Sequence, residues 1–124
     1  MSYDKENIFA KILRGEIPCD KIYEDEYVLS FKDISPQAKT HVLIIPKDPY
    51  IDVADFLQNA DTQYQNNFWQ SVNKIIDFLE LRSKGFQIKT HKGKDGGQEV
   101  FHFHLHLLSN SSVSYTHLTL PTKA

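Results

Sequence analysis

Three histidines alternate with apolar residues towards the end of this chain, and this pattern constrains the fold more than any other feature. Residues 102–108 read His-Phe-His-Leu-His-Leu-Leu. Because successive side chains of a β-strand point to opposite faces, the three imidazoles would share one face, and Phe103 and Leu105 would point to the other. Burying imidazoles costs free energy unless each ring finds a partner. The segment therefore predicts a strand with one packed face and one functional face.

The composition is typical of a globular protein of one domain. The chain has 124 residues, of which 40% are hydrophobic and 24% are charged. The net charge of -2 argues against a nucleic-acid-binding protein, which needs a basic surface. The single cysteine, the polar first residues and the lack of an apolar run of about 20 residues predict a cytoplasmic protein that does not bind a membrane.

Apolar periodicity predicts short strands grouped on either side of helices. Helical spacing marks a first helix at Ile8–Leu13, a short helix at Asp52–Leu57, and a long helix carrying Phe68–Leu79 that ends at Ser83–Gly85. The predicted strands are Lys21–Glu24, Tyr27–Phe31, His41–Pro46, Phe86–Thr90 and Val100–Leu108. We therefore expect an α+β fold with a mainly antiparallel sheet of about five strands, one long helix and one or two short helices.

The last residues differ from the rest of the chain. From Ser109 onward the sequence is rich in Ser and Thr, has no sustained period, and resembles translated adapter or vector sequence. We expect a domain at residues 1–109 and a tail at residues 110–124. The core would not need this tail, which would be foreign to the natural protein.

The histidine face has three possible interpretations. Three imidazoles can hold zinc, one histidine can act as a nucleophile that its neighbours orient, or the rings can simply face solvent. The loop before the strand favours catalysis, because Gly93, Gly96 and Gly97 let backbone N–H groups approach an anion closely. A phosphate held between this loop and the imidazoles would fit the pattern.

Together with the alternating histidines, four further blocks resemble the histidine triad (HIT) family, specifically its Hint branch of purine nucleoside phosphoramidases. Residues 102–108 match the family signature at every position. The other matching blocks are residues 8–18, 31–38, 41–47 and 95–100. The resemblance covers roughly residues 7–108 and implies a HIT-like fold that pairs into a homodimer with a continuous sheet.

The resemblance also implies a role for each matching residue. His104 would attack the α-phosphorus, His102 would orient His104, and His106 would hydrogen-bond the phosphate oxygens and the scissile bond. Asp33 would bind the ribose hydroxyls, and Gln98 would contact the phosphate region. Apolar residues would wall the base pocket, namely Phe9, Ile12, Phe31, Ile34 and Leu43. The nucleotide site would also include His91, Glu99 and Val100, and His41 would lie near the triad.

Three positions depart from the family pattern. His91 stands where members commonly carry Asn, and Glu99 stands where well-studied eukaryotic members have a Ser that assists the leaving group. Ser109–Ser111 replaces the usual Gly-Gly-Arg after the triad. All three departures bear on substrate range and leaving group.

The expected activity is hydrolysis of adenosine or other purine nucleoside phosphoramidates, or of aminoacyl-adenylates, through a nucleotidyl-histidine intermediate. This mechanism requires no metal or cofactor. The expected partners are an AMP-like nucleotide and a second copy of the chain, paired around Phe68 and Val72 and along the strand Phe86–Thr90. Two alternatives stay open: a non-catalytic nucleotide-sensing or scaffold dimer, and a zinc-binding protein using His41, His102 and His104.

Overall fold

The computed structural model describes residues 1–113, and the rest of the chain lies outside the described part. The helices within residues 1–113 are α1 (Ile8–Leu13), α2 (Val53–Asn59) and α3 (Thr62–Phe78). The strands are β1 (Lys21–Glu24), β2 (Val28–Lys32), β3 (Thr40–Pro46), β4 (Gln87–Lys89) and β5 (Leu105–Ser109). A short 3-10 helix, Lys94–Gly96, lies between β4 and β5. The predicted α+β class is confirmed.

The strands form one antiparallel sheet in the order β1-β2-β3-β5-β4. The histidine strand β5 therefore lies between β3 and β4. His106 pairs with Leu43 on one side and with Lys89 on the other. Strand β4 forms one edge of the sheet, and all its residues are exposed.

Both faces of the sheet are packed, but by different elements. Helices α2 and α3 cover one face, where Phe56 and Phe68 join a cluster with Val42, Leu105 and Leu107. Helix α1 covers part of the other face through Phe9. The second cluster completes this packing with Leu29, Phe31, Leu43 and Ile45. The triad rings lie beside this smaller cluster, because their apolar neighbours in sequence point into the larger one.

The long helix ends earlier than the sequence predicted. Its last residue is Phe78, and Glu80 adopts a positive φ of 59°. The N–H group of Leu81 bonds back to the carbonyl oxygen of Ile76 at 3.0 Å, which closes the helix end. The predicted helix end at Ser83–Gly85 is wrong because the positive φ of Glu80 ends the helix several residues earlier.

The last strand is also shorter than predicted. Pairing begins at Leu105, opposite Ile44, rather than at Val100. The N–H group of Phe103 donates to the carbonyl oxygen of Tyr50 at 2.7 Å instead of joining the sheet ladder. His102 and His104 therefore lie on the segment that precedes β5, and only His106 lies within the strand.

The predicted subunit contact around Phe68 and Val72 is wrong for these two side chains. Phe68 is 0% and Val72 is 3% exposed within a single chain, because both pack into its own core. Trp69, Phe86 and Ile88, by contrast, are exposed.

The described part of the predicted tail contacts the domain. The hydroxyl of Thr40 donates to the carbonyl oxygen of Ser111 at 2.6 Å, and Val113 packs partly buried against the larger core cluster. The rest of the tail lies outside the described residues. Within residues 1–113, every helix is too short or too polar to span a membrane.

Candidate active site

His102 is fully buried, and both of its ring nitrogens are hydrogen-bonded. Nε2 lies 2.8 Å from the carbonyl oxygen of Pro46, which can only accept, so Nε2 carries the hydrogen. Nδ1 then accepts from the hydroxyl of Tyr3 at 2.6 Å. Burial lowers the pKa of His102 to about 4, so the ring is neutral at pH 7.

His104 is held through the main chain of His102. Its Nδ1–H donates to the carbonyl oxygen of His102 at 2.7 Å, which leaves Nε2 as the unprotonated ring nitrogen. The ring of Phe9 contacts it edge-on, with centroids 4.9 Å apart. Burial lowers the pKa of His104. The carbonyl oxygen of His104 accepts from the hydroxyl of Thr90 at 2.7 Å. A neutral imidazole with a free lone pair at a fixed place is a competent nucleophile.

The tautomer of His106 follows from a chain of donors that begins in the backbone. The N–H group of Gln37 donates to Nδ1 of His41 at 3.1 Å, so His41 carries its hydrogen on Nε2. That Nε2–H faces Nδ1 of His106 at 3.0 Å. His106 therefore carries its own hydrogen on Nε2. Its ring lies 5.1 Å from that of His104, between centroids.

The pKa values of this pair favour neutral rings. Burial, with a smaller effect of the neighbouring imidazoles, lowers the pKa of His106 to about 4. Burial also lowers the pKa of His41, and the nearby Asp33 carboxylate opposes this effect. Oδ2 of Asp33 lies 3.5 Å from Nε2 of His41. At neutral pH, His106 is a neutral hydrogen-bond donor beside the proposed nucleophile.

The side chains of His91 and Gln98 hydrogen-bond to the backbone of the Gly-rich loop. Nδ1 of His91 donates to the carbonyl oxygen of Gly96 at 2.8 Å, and its ring stands 5.3 Å from that of His106. Gly97 has a φ of 80°, a conformation that disfavours side chains, so glycine suits this position. His91 thus lies directly against the triad.

Gln98 acts within this loop. Its Oε1 accepts from the N–H group of Gly93 at 2.8 Å. Its Nε2 donates to the carbonyl oxygens of Ile51 and Val100 at 2.8 and 3.0 Å. Both amide hydrogens are used by the protein, so Gln98 positions the loop. Its contact with phosphate stays a prediction.

The residues predicted to wall the base pocket are largely brought together. Phe9, Phe31 and Leu43 are buried in the smaller cluster, and Ile12 and Val100 pack against it. Ile34 is the exception, since it is 95% exposed and lies outside this cluster. Next to it, Oδ1 of Asp33 accepts from the N–H group of Ser35 at 2.7 Å, which leaves Oδ2 facing His41.

Glu99 is exposed, in contrast to the buried Gln98 before it. Together with Val100 it lines a cavity of about 400 Å³ whose far side is formed by the N-terminal segment, including Met1 and Ile8. The exposed carboxylate can therefore reach solvent while the loop stays packed.

The predicted zinc ligands His41, His102 and His104 are not brought together as a ligand set. Both nitrogens of His102 are already bonded to other groups. Within residues 1–113, the group of three potential metal ligands whose ligand atoms lie within 4.8 Å of one another consists of Asp33, His41 and His106. Any metal would therefore compete with the hydrogen bond between His41 and His106.

Sequence reasoning missed Tyr3 and Thr90. Tyr3 is 99 positions from the ring it bonds, and no periodicity marks it. The sequence placed Thr90 at the end of a predicted strand, whereas β4 ends at Lys89 and the hydroxyl of Thr90 bonds to the carbonyl oxygen of His104.

Comparisons with known proteins identify the family of this chain. The HIT domain model matches residues 14–113. An uncharacterized HIT-like protein of Rickettsia prowazekii is 40% identical over 111 residues, which cover 90% of this chain and 92% of the relative. The purine nucleoside phosphoramidase of Escherichia coli K12 is 39% identical over 104 residues, covering 84% of this chain and 87% of that enzyme.

Solved structures share the fold. A histidine triad protein from Clostridium difficile superposes with a TM-score of 0.78 at 35% identity, covering 91% of this chain and 97% of that chain. A HIT family hydrolase from Legionella pneumophila has a TM-score of 0.78 at 36% identity and covers 90% of this chain and 98% of that chain. The chain belongs to the HIT domain family.

Proposed function

We propose that this protein hydrolyses purine nucleoside phosphoramidates, or related aminoacyl-adenylates, through a nucleotidyl-histidine intermediate on His104. One observation carries the proposal: Nδ1–H of His104 is committed to the carbonyl oxygen of His102, so Nε2 keeps its lone pair. The E. coli relative named purine nucleoside phosphoramidase supports the choice of substrate class.

In the first step, Nε2 of His104 attacks the α-phosphorus and the phosphorus–nitrogen bond to the leaving amine breaks. The new bond gives the ring a positive charge, which the carbonyl oxygen of His102 stabilises through Nδ1–H. The leaving nitrogen accepts a hydrogen bond from Nε2–H of His106, takes a proton from solvent and departs as a neutral amine, while His106 stays neutral.

In the second step, water attacks the same phosphorus and the bond to His104 breaks. The proton that this water loses passes to solvent, and the products are a nucleoside monophosphate and the free enzyme. The hydrogen bond from His41 keeps Nδ1 of His106 occupied, so its proton stays on the side facing the reaction.

The remaining residues would bind the nucleoside. The smaller apolar cluster around Phe9, Phe31 and Leu43 offers a surface for a purine base. The carboxylate of Asp33, at the edge of this cluster, would accept hydrogen bonds from the ribose hydroxyls.

The test is a fluorogenic adenosine phosphoramidate assay with wild type and His104→Ala. We expect the substitution to lower kcat by about 10³-fold or more. Acid-quenched wild type should carry a nucleotidyl adduct that the variant lacks. His117→Ala is the matched control, since His117 lies beyond residue 113, where the family match ends. Equal turnover in wild type and His104→Ala would refute the mechanism.

We also propose that the protein is a cytoplasmic homodimer. The exposed edge of β4 offers unpaired backbone groups, and Phe86 and Ile88 expose apolar surface on that edge. Light scattering should give twice the monomer mass for wild type and the monomer mass for Ile88→Lys. A wild-type dimer that binds AMP without any turnover would instead favour the sensor or scaffold function.

A zinc site is the second candidate function, and the closeness of Asp33, His41 and His106 favours it. Metal analysis of protein purified without added zinc tests this candidate. One ion per chain, lost in His41→Ala, would support it. Zinc held there would also inhibit hydrolysis, because it would occupy His106.

A further inference from the structure

The rings at the centre of the site bring no positive charge of their own. The hydrogen bonds of His41, His102, His104 and His106 are all satisfied by neutral tautomers. The carboxylate of Asp33 lies 3.5 Å from Nε2 of His41. A substrate phosphate is negatively charged, and its transition state spreads that charge over the oxygens. A cation beside the phosphate would offset the repulsion from this carboxylate.

Lys89 occupies the place where a cation would serve. In the antiparallel pairing of β4 with β5, Lys89 stands directly opposite His106. Residues in this relation share a face of the sheet, with Cβ atoms about 4.5–5.5 Å apart. Its neighbour on the same face, His91, already has its ring 5.3 Å from that of His106. The side chain of Lys89 therefore rises from the histidine face, and it is exposed.

The other lysines of the strands are engaged in ion pairs. Lys21 pairs with Glu24 at 2.8 Å, and Lys32 pairs with Asp20 at 3.5 Å. Within residues 1–113, no carboxylate comes within 4 Å of the ammonium group of Lys89. The charge of Lys89 lowers the pKa of His41, so its field extends into the site.

We propose that Lys89 is a further catalytic residue, which binds a non-bridging phosphate oxygen beside His106 and offsets its negative charge in the transition state. The proposal rests on the proposed function for its catalytic part. The ammonium group of Lys89 donates a hydrogen bond and transfers no proton. Nε2–H of His106 and the ammonium group would thus approach the phosphate from neighbouring strands.

The experiment compares Lys89→Gln and Lys89→Arg with a matched control, Lys74→Gln, which removes one charge from the exposed side of α3. Binding of AMP and of adenosine is measured by calorimetry at two salt concentrations, and hydrolysis of an adenosine phosphoramidate is measured in parallel. We expect Lys89→Gln to weaken AMP binding roughly 10-fold or more, with adenosine binding unchanged. The fall in kcat/KM should be at least as large, and Lys89→Arg should restore most of both.

Equal AMP binding by Lys89→Gln and Lys74→Gln would overturn the proposal. An equal loss in Lys89→Gln and Lys89→Arg would also overturn it, because the effect would then come from the edge strand and not from the charge. If wild type hydrolyses nothing but Lys89→Gln still weakens AMP binding selectively, the hydrolase function fails and the phosphate contact stands. If wild type is active and Lys89→Gln is equally active, only the role of Lys89 fails.

Discussion

His104 donates its Nδ1 hydrogen to the main-chain oxygen of His102 over 2.7 Å, so one member of the triad acts on the next through its backbone. Both ring nitrogens of His102 are hydrogen-bonded, one to the hydroxyl of Tyr3 and the other to the carbonyl oxygen of Pro46. The ring and the main chain of His102 therefore have different roles. The His102 ring fixes the position of the segment, and its carbonyl oxygen fixes the tautomer of the nucleophile.

Stability should fall as the pH falls below neutral, because the His102 ring is buried in its neutral form. Its pKa is about 4 in the folded protein and about 6.5 in the unfolded chain, so the unfolded chain binds more protons between these values. The contribution is complete above pH 6.5 and is lost as the pH falls towards 4. It amounts to about 3 kcal/mol. Urea unfolding between pH 7 and pH 4.5 measures it.

The matched variant for this titration is His102→Gln, whose amide can still donate to Pro46. We expect a lower stability at pH 7 but a flatter dependence on pH than in wild type. Part of the dependence of unfolding free energy on pH will remain, because the pKa of His106 is also lowered to about 4. The same slope in both proteins would contradict the prediction.

Tyr3→Phe should destabilise the protein and slow the reaction. The change leaves Nδ1 of His102 without its donor in a fully buried ring, which costs about 1–3 kcal/mol. Because the carbonyl oxygen of His102 holds His104, we also expect kcat to fall several-fold. Urea unfolding and the phosphoramidate assay check both effects. Tyr27→Phe is the control, since the Tyr27 hydroxyl makes no hydrogen bond to the described residues; an equal effect there would contradict the assignment.

Gln98→Glu should disrupt the Gly-rich loop although it changes one atom. A carboxylate only accepts hydrogen bonds, so the new oxygen would face the carbonyl oxygens of Ile51 and Val100. We expect a loss of about 2 kcal/mol in unfolding free energy and weaker AMP binding. The reverse change at the exposed neighbour, Glu99→Gln, should alter stability by less than about 0.5 kcal/mol. Thermal denaturation of the two variants measures both changes. Equal shifts in melting temperature would refute the role of Gln98 in positioning the loop.

His41→Ala should lower kcat with little effect on KM. Without the Nε2–H of His41, Nδ1 of His106 loses its donor, and the proton of His106 is no longer held on Nε2. We expect kcat to fall about 10- to 100-fold for a basic amine leaving group. The effect should shrink for a leaving group that departs without protonation. An equal fall for both leaving groups, in a steady-state comparison, would argue against the donor chain.

The elements of the fold were predictable where the signal is local. Helix α1 and the strands up to Pro46 follow from helical spacing, alternation and a breaking proline, and all were found. The predictions were wrong where contacts between residues distant in sequence determine the structure. Phe103 bonds to Tyr50 rather than to a strand, which delays β5 until Leu105. Phe68 and Val72 looked like a possible interface, but periodicity cannot tell a domain core from a subunit contact.

The sequence by itself determined which residues share a face. Alternation places the three triad imidazoles together and sends Phe103 and Leu105 into the core, because side-chain direction along an extended chain depends only on position. Only the tertiary structure decided which ring nitrogen of His102 and of His106 carries the hydrogen. The partners that settle this, Pro46 and Tyr3 for His102 and His41 for His106, lie 56, 99 and 65 positions away along the chain. A tautomer is set by the group that a ring touches, and folding supplies that contact.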